Sequence, residues 1–149
     1  MTSQLNVDTI VDKAGSGGTN VKVANTSTYV SDGGNVTQNT VQGLCKHWIL
    51  FNGTGDVAVT DSFNNSGLVD NGGAGEYTIS FTNTMANNTF SVATGGAFDE
   101  TGASAGANAR QGPAACEKST SSFELHCGSN TTSANDWESP AAQVLGDLA

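Results

Sequence analysis

Residues 76–82 read EYTISFT, with Tyr77, Ile79 and Phe81 alternating against Glu76, Thr78, Ser80 and Thr82. A period of two places the apolar side chains on one face of a strand and the polar ones on the other, the pattern of a strand buried on one side. The alternation returns with Phe90 and Val92 in NTFSVATGGAF and with Phe123, Leu125 and Cys127 in SSFELHCG, and AAQVLGDLA offers a last strand through Val144 and Leu145. Upstream, HWILFNG and DVAVTDSFN predict two strands joined by a turn at Asn52 to Gly55. In that hairpin Trp48, Leu50, Val57 and Val59 are offered to a core and Asp61 shapes the exit. SGLVDNG adds a short strand running into a turn. Short strands divided by Gly, Asn and Asp turns, with no sustained helical period, predict an all-β fold: an antiparallel β-sandwich of six to eight strands over residues 45–149. The stretch FDETGASAGANARQGPAA, residues 98–115, carries no such pattern and is predicted as a long loop.

Residues 1–44 differ in texture. Their apolar residues, among them Leu5, Val7, Ile10, Val21 and Val23, come as isolated short pieces among Gly, Asn, Ser and Thr, too few to close a core. Alternations such as QLNV and NVKV instead predict short strands that pair with another chain. This segment therefore reads as an extended arm for attachment and oligomerisation.

Composition narrows the functional classes. With 14 Asp and Glu against 5 Lys and Arg, the formal net charge is −9, which repels nucleic acid and anionic membrane surfaces. No basic segment followed by an apolar stretch marks a leader at the start, and no run approaches the roughly 18 apolar residues that span a bilayer. A soluble chain made in a cytoplasm, with no nucleic-acid partner and no membrane insertion, is the expectation. Asn-x-Ser/Thr triplets at Asn25, Asn35, Asn52, Asn64, Asn87 and Asn130 follow from the richness in these residue types rather than from glycosylation.

Candidate chemistry is sparse. Cys45, Cys116 and Cys127 have no CxxC spacing and no evident third and fourth ligands, so no metal or cofactor is predicted. If the segment between Cys116 and Cys127 folds back as a hairpin, the two sulfurs can face each other and bridge; the alternative is a pair of free thiols. His47 lies two residues after Cys45 and His126 directly precedes Cys127, but no third orienting group completes a nucleophilic triad. Asp56, Asp61, Asp70, Glu76, Asp99 and Glu100 are the carboxylates from which a glycosidase pair would be drawn, yet Asp56, Asp70 and Glu76 lie in or beside Gly/Asn turns. DNGGAGE at 70–76 offers calcium ligands on a glycine-rich loop but occurs only once, which favours a turn. Among aromatics that might bind a glycan, Trp48 and Tyr77 are placed in the core and Trp137, in NDWES, at the surface.

The ordered set Trp48, Phe51 to Gly55 (FNGTG), Asp61 to Asn64 (DSFN), Asp70 to Gly72 (DNG), Gly75 to Thr78 (GEYT), Phe81 and Thr82, Met85 and Asn87 to Phe90 resembles a module of tail-fibre and virion-surface proteins of marine bacteriophages. The opening QLNVDTIVDKAGSGGTNV and the closing VLGD at 144–147 are similar to the two ends of such proteins, so the resemblance spans both ends and the middle in one order. The chain departs from that pattern in an insertion at Ala105 to Cys116 and in its cysteines. The resemblance implies a non-enzymatic virion structural protein, commonly a homotrimer, with an N-terminal arm fixed to the particle and a β-domain projecting from it. A chain of 149 residues has no room for a fibre shaft, so a capsid decoration (knob, cement or turret) beside the major capsid protein is expected. The alternative is a short tail fibre or tail tip that binds a host receptor or surface glycan.

Overall fold

In a computed structural model of the chain, the described residues are 28–30, 37–40, 43–97, 112–128 and 135–148. The arm residues Leu5, Val7, Ile10, Val21 and Val23 lie outside them, as do Asp99 and Glu100. The chain divides into two units, Met1–Val41 and Gln42–Ala149. In the first, β1 (Thr28–Val30) and β2 (Thr37–Asn39) pair antiparallel.

The second unit is a β-sandwich of eight strands. They are β3 (Cys45–Asn52), β4 (Ala58–Phe63), β5 (Asn65–Asp70), β6 (Glu76–Phe81), β7 (Ser91–Ala97), β8 (Ala114–Cys116), β9 (Ser122–His126) and β10 (Ser139–Leu145). One sheet runs β4-β3-β10-β7 and the other β5-β6-β9-β8, every pair antiparallel. Hairpins join β3 to β4, β5 to β6 and β8 to β9, while the remaining links carry the chain from sheet to sheet. β8 includes Ala114 and Ala115, so the predicted loop over 98–115 gives up its last residues to an edge strand. Among the described residues there is no helix.

The inner faces meet over Tyr77, Ile79 and Phe81 from β6, Phe123 and Leu125 from β9, Ile49 and Phe51 from β3, and Ala142 and Val144 from β10. The period-two residues of β6 and β9 are buried as the alternation requires. Phe81 is the hub of the aromatic packing, with ring centroids 5.6 Å from Phe90 and 5.8 Å from Phe123. Each such ring contributes about 1.5–3 kcal/mol by leaving water, which makes this cluster the main source of stability.

In β3 the inward residues are His47, Ile49 and Phe51, whereas Trp48 and Leu50, expected in the core, point to the outer face; on β4, Val59 is 39% exposed. HWILF is apolar at both parities, and a shift by one residue turns every side chain over. What fixes the phase is pairing with β10, which sets Ile49 against Ala142 and His47 against Val144, all buried. Trp137, expected at the surface, is 3% exposed and belongs to the core.

Candidate functional site

The FNGTG and DNGGAGE turns meet at one end of the sandwich. Asn52 closes the FNGTG turn on itself: its Oδ1 accepts from the Thr54 N–H at 3.1 Å and the Thr54 hydroxyl at 2.9 Å, and its Nδ2 donates to Thr54 O and Asp56 O. The next residue, Gly53, donates its N–H to Trp137 O and accepts from the Tyr77 hydroxyl at 2.8 Å. A Cβ on Gly53 would come within 2.6 Å of Trp137 O, so the turn can dock here only as glycine. Asp136 Oδ1 accepts from both the Tyr77 hydroxyl and the Gly75 N–H, at 2.9 and 2.7 Å. Burial, reinforced by the Asp136 carboxylate, raises the Tyr77 phenol far above its ordinary value and keeps it protonated as a donor.

Asn64 holds the second junction. It adopts φ 59°, a conformation that asparagine tolerates better than most residues. Its Nδ2 donates to Lys46 O and Asn83 O, and its Oδ1 accepts from the Asn83 backbone N–H at 2.7 Å. Asp70 Oδ1 accepts from the Gly72 N–H, and Asn71 N–H and Glu76 N–H donate to Glu76 O and Gly73 O, so DNGGAGE is closed as a turn. Asp61 Oδ1 likewise accepts from the Ser62 N–H. These side chains serve the backbone.

Outside this framework, each sheet offers one surface with distinct chemistry. On the β4-β3-β10-β7 sheet, Trp48 pairs with Phe63, which is 53% exposed, and the neighbouring positions on that face are Gln143 and Ala93. Further along the same face, Leu50, Ala141 and Gly95 succeed one another across the strands. Beside Leu50 opens a groove of about 390 Å³ lined also by Asn52, Thr54, Thr60, Glu138 and Ser139. Its walls are hydroxyls, one amide and one carboxylate.

On the other sheet, Cys116, Glu124 and His126 bring their ligand atoms within 4.8 Å of one another. Glu124 and His126 are two apart on β9, and Cys116 is the cross-strand partner of Glu124, so all three share the outer face. His126 Nε2 lies 3.1 Å from Glu124 Oε2, and Asn71 Nδ2 donates to the other oxygen at 3.4 Å. Burial and the carboxylates of Glu124, Glu117 and Glu76 push the Cys116 thiol upward, the opposite of what a nucleophilic thiolate needs.

The remaining cysteine and histidine expectations resolve by strand parity. The hairpin between Cys116 and Cys127 forms, but both are free thiols: Cys127 points into the core with Phe123 and Leu125, while Cys116 lies on the outer face. In this fold the two sulfurs lie on opposite faces of the sheet and are not bridged, the free-thiol arrangement of the two considered. Burial, with a smaller push from Asp136, lifts the Cys127 thiol to about 12. Cys45 donates to His47 O, and the His47 ring is buried edge-on against Phe81 and Phe123 at 5.0 and 5.9 Å, away from any thiol chemistry. The three-residue cluster on β8 and β9 escaped sequence reasoning because Cys116 is paired with Glu124 only by the hairpin register; the nearest clue was the ELH triplet, whose alternation sets Glu124 and His126 on one face.

Comparison with family models, with curated proteins and with solved structures finds no match.

Proposed function

We propose that this chain is a non-enzymatic structural protein of a bacteriophage particle: a capsid decoration protein, trimeric, held by residues 1–44 to the major capsid protein and projecting its β-sandwich outward. The observation that carries this reading is the use to which the module's residues are put. Asn52, Gly53, Asp61, Asn64, Asp70 and Tyr77 all close turns or fasten one strand end to another. A motif spent on framework fits a scaffold whose job is to persist and to be displayed. Of the carboxylates from which a glycosidase pair would be drawn, Asp61 and Asp70 are backbone acceptors, which supports a non-catalytic role. The outer face that carries half-buried Trp48 and exposed Phe63, bordered by small residues, suits packing against a second copy, and the acidic composition suits a soluble surface protein.

The groove beside Leu50 favours one second reading, a tail-tip protein that binds a host glycan. Hydroxyls of Thr60 and Ser139 and the Glu138 carboxylate match the donors and acceptors of a sugar.

Purified heads lacking the protein separate the readings. The full chain should co-sediment with them, and a folded 45–149 fragment should not; full binding by the fragment contradicts the arm's role. Saturable binding of the fragment to host cells, lost in Glu138→Ala, would instead support the glycan reading.

A further inference from the structure

We infer that Cys116, Glu124 and His126 form a binding site for a single zinc-class divalent cation on the outer face of the β5-β6-β9-β8 sheet. The ligand atoms lie within 4.8 Å of one another, and the His126 Nε2 to Glu124 Oε2 distance is 3.1 Å. A tetrahedral zinc, with bonds of about 2.0–2.3 Å, sets its ligand atoms about 3.3–3.8 Å apart. The nitrogen and oxygen lie slightly closer than that spacing, and rotation of the three side chains opens this pair and brings the thiol in.

The backbone does not have to move. Glu124 and His126 are held by β9, which is paired with β6 on one side and β8 on the other, so the site is built on two ladders rather than on a loop. Asn71 Nδ2 donates to the Glu124 oxygen that His126 does not contact, the arrangement by which a neighbouring group orients a ligating carboxylate. Thr78 in turn donates to Asn71 Oδ1 at 3.1 Å and steadies that amide.

Charge points the same way. Glu76 stands opposite His126 across the strand pair, and Glu117 follows Cys116 in the chain. Of the lysines among the described residues, Lys46 Nζ donates to Leu44 O and Lys118 Nζ to Phe90 O. An acidic setting that is wrong for a thiolate nucleophile is right for a cation. On binding, the Cys116 thiol gives its proton to buffer as the sulfur–metal bond forms, and the Nε2 proton that His126 donates to Glu124 passes through solvent to Nδ1, so that the freed Nε2 lone pair takes the metal. One sulfur, one nitrogen and one oxygen select a borderline metal such as zinc or cobalt over magnesium or calcium, which require oxygen ligands, and leave a fourth position open to water.

The test uses the full reduced chain, stripped with chelator and titrated with Co2+ and then Zn2+. One equivalent of cobalt should bind with a thiolate-to-metal charge-transfer band, zinc should displace it, and neither magnesium nor calcium should compete. The band should survive Cys45→Ser, disappear in Cys116→Ser and His126→Ala, and persist in Asn71→Ala with affinity about tenfold lower. His126 is exposed, so its removal leaves the fold intact, and far-ultraviolet circular dichroism verifies this for each variant. No cobalt band, a band retained in Cys116→Ser, or equal competition by calcium overturns the site.

Discussion

His47 is fully buried, its Nδ1 has no hydrogen-bond partner, and its Nε2 is 3.4 Å from the Asn65 amide. Desolvation, only partly offset by Asn65, holds the ring below its ordinary value, so the folded chain keeps it neutral. The unfolded chain protonates it near 6.5, so below that pH the unfolded state binds more protons and stability falls until the depressed folded value is reached. Thermal unfolding from pH 7.5 to 5 should show this decline, and His47→Leu should flatten it while costing less than about 1.5 kcal/mol at pH 7.5. Tyr77 is the opposite case, a buried polar group with its partners in place. Tyr77→Phe leaves Gly53 O and Asp136 short of a donor and should cost about 1–3 kcal/mol in denaturant unfolding at unchanged slope. Gly75 has φ +70° and no room for a Cβ, which would sit 2.4 Å from Cys127 O. Gly75→Ala should be costlier than Tyr77→Phe, because it strains the backbone and separates two strands at once.

At the scale of elements, β6 and β9 were legible because their apolar residues keep one parity: Tyr77, Ile79 and Phe81, then Phe123, Leu125 and, just past the strand, Cys127. β3 was legible as a strand but not in phase, since His47 through Phe51 offers a bulky ring or aliphatic side chain at every position. Only the partner strand β10 decides which face is buried. The same limit hid Trp137, whose polar neighbours Asp136 and Glu138 gave no hint that the indole turns inward. The metal-ligating cluster was illegible for a related reason: its members come from two strands, and their meeting depends on register. The phase of β3 predicts a contrast within one strand. Ile49→Ala should lose about 2–5 kcal/mol by opening a core cavity, whereas Trp48→Gln and Phe63→Thr should each stay within about 1 kcal/mol. The latter two should instead weaken self-association, read as a shift of mass towards monomer at micromolar concentration.

The whole molecule joins an acidic, turn-rich sandwich to an amino-terminal segment that is poor in core-forming residues. Three of the four sheet edges are managed locally. β4 and β5 carry register irregularities where they pair with β3 and β6, and β8 is only three residues long. Such edges resist open-ended strand addition. Among the described residues no helix is long and apolar enough to cross a membrane. The proposed display on the surface of a phage particle is tested by immunogold labelling of purified particles with antibody to the β-sandwich. Gold distributed over the head surface is the predicted result, and particles that carry no gold on head or tail would contradict the account.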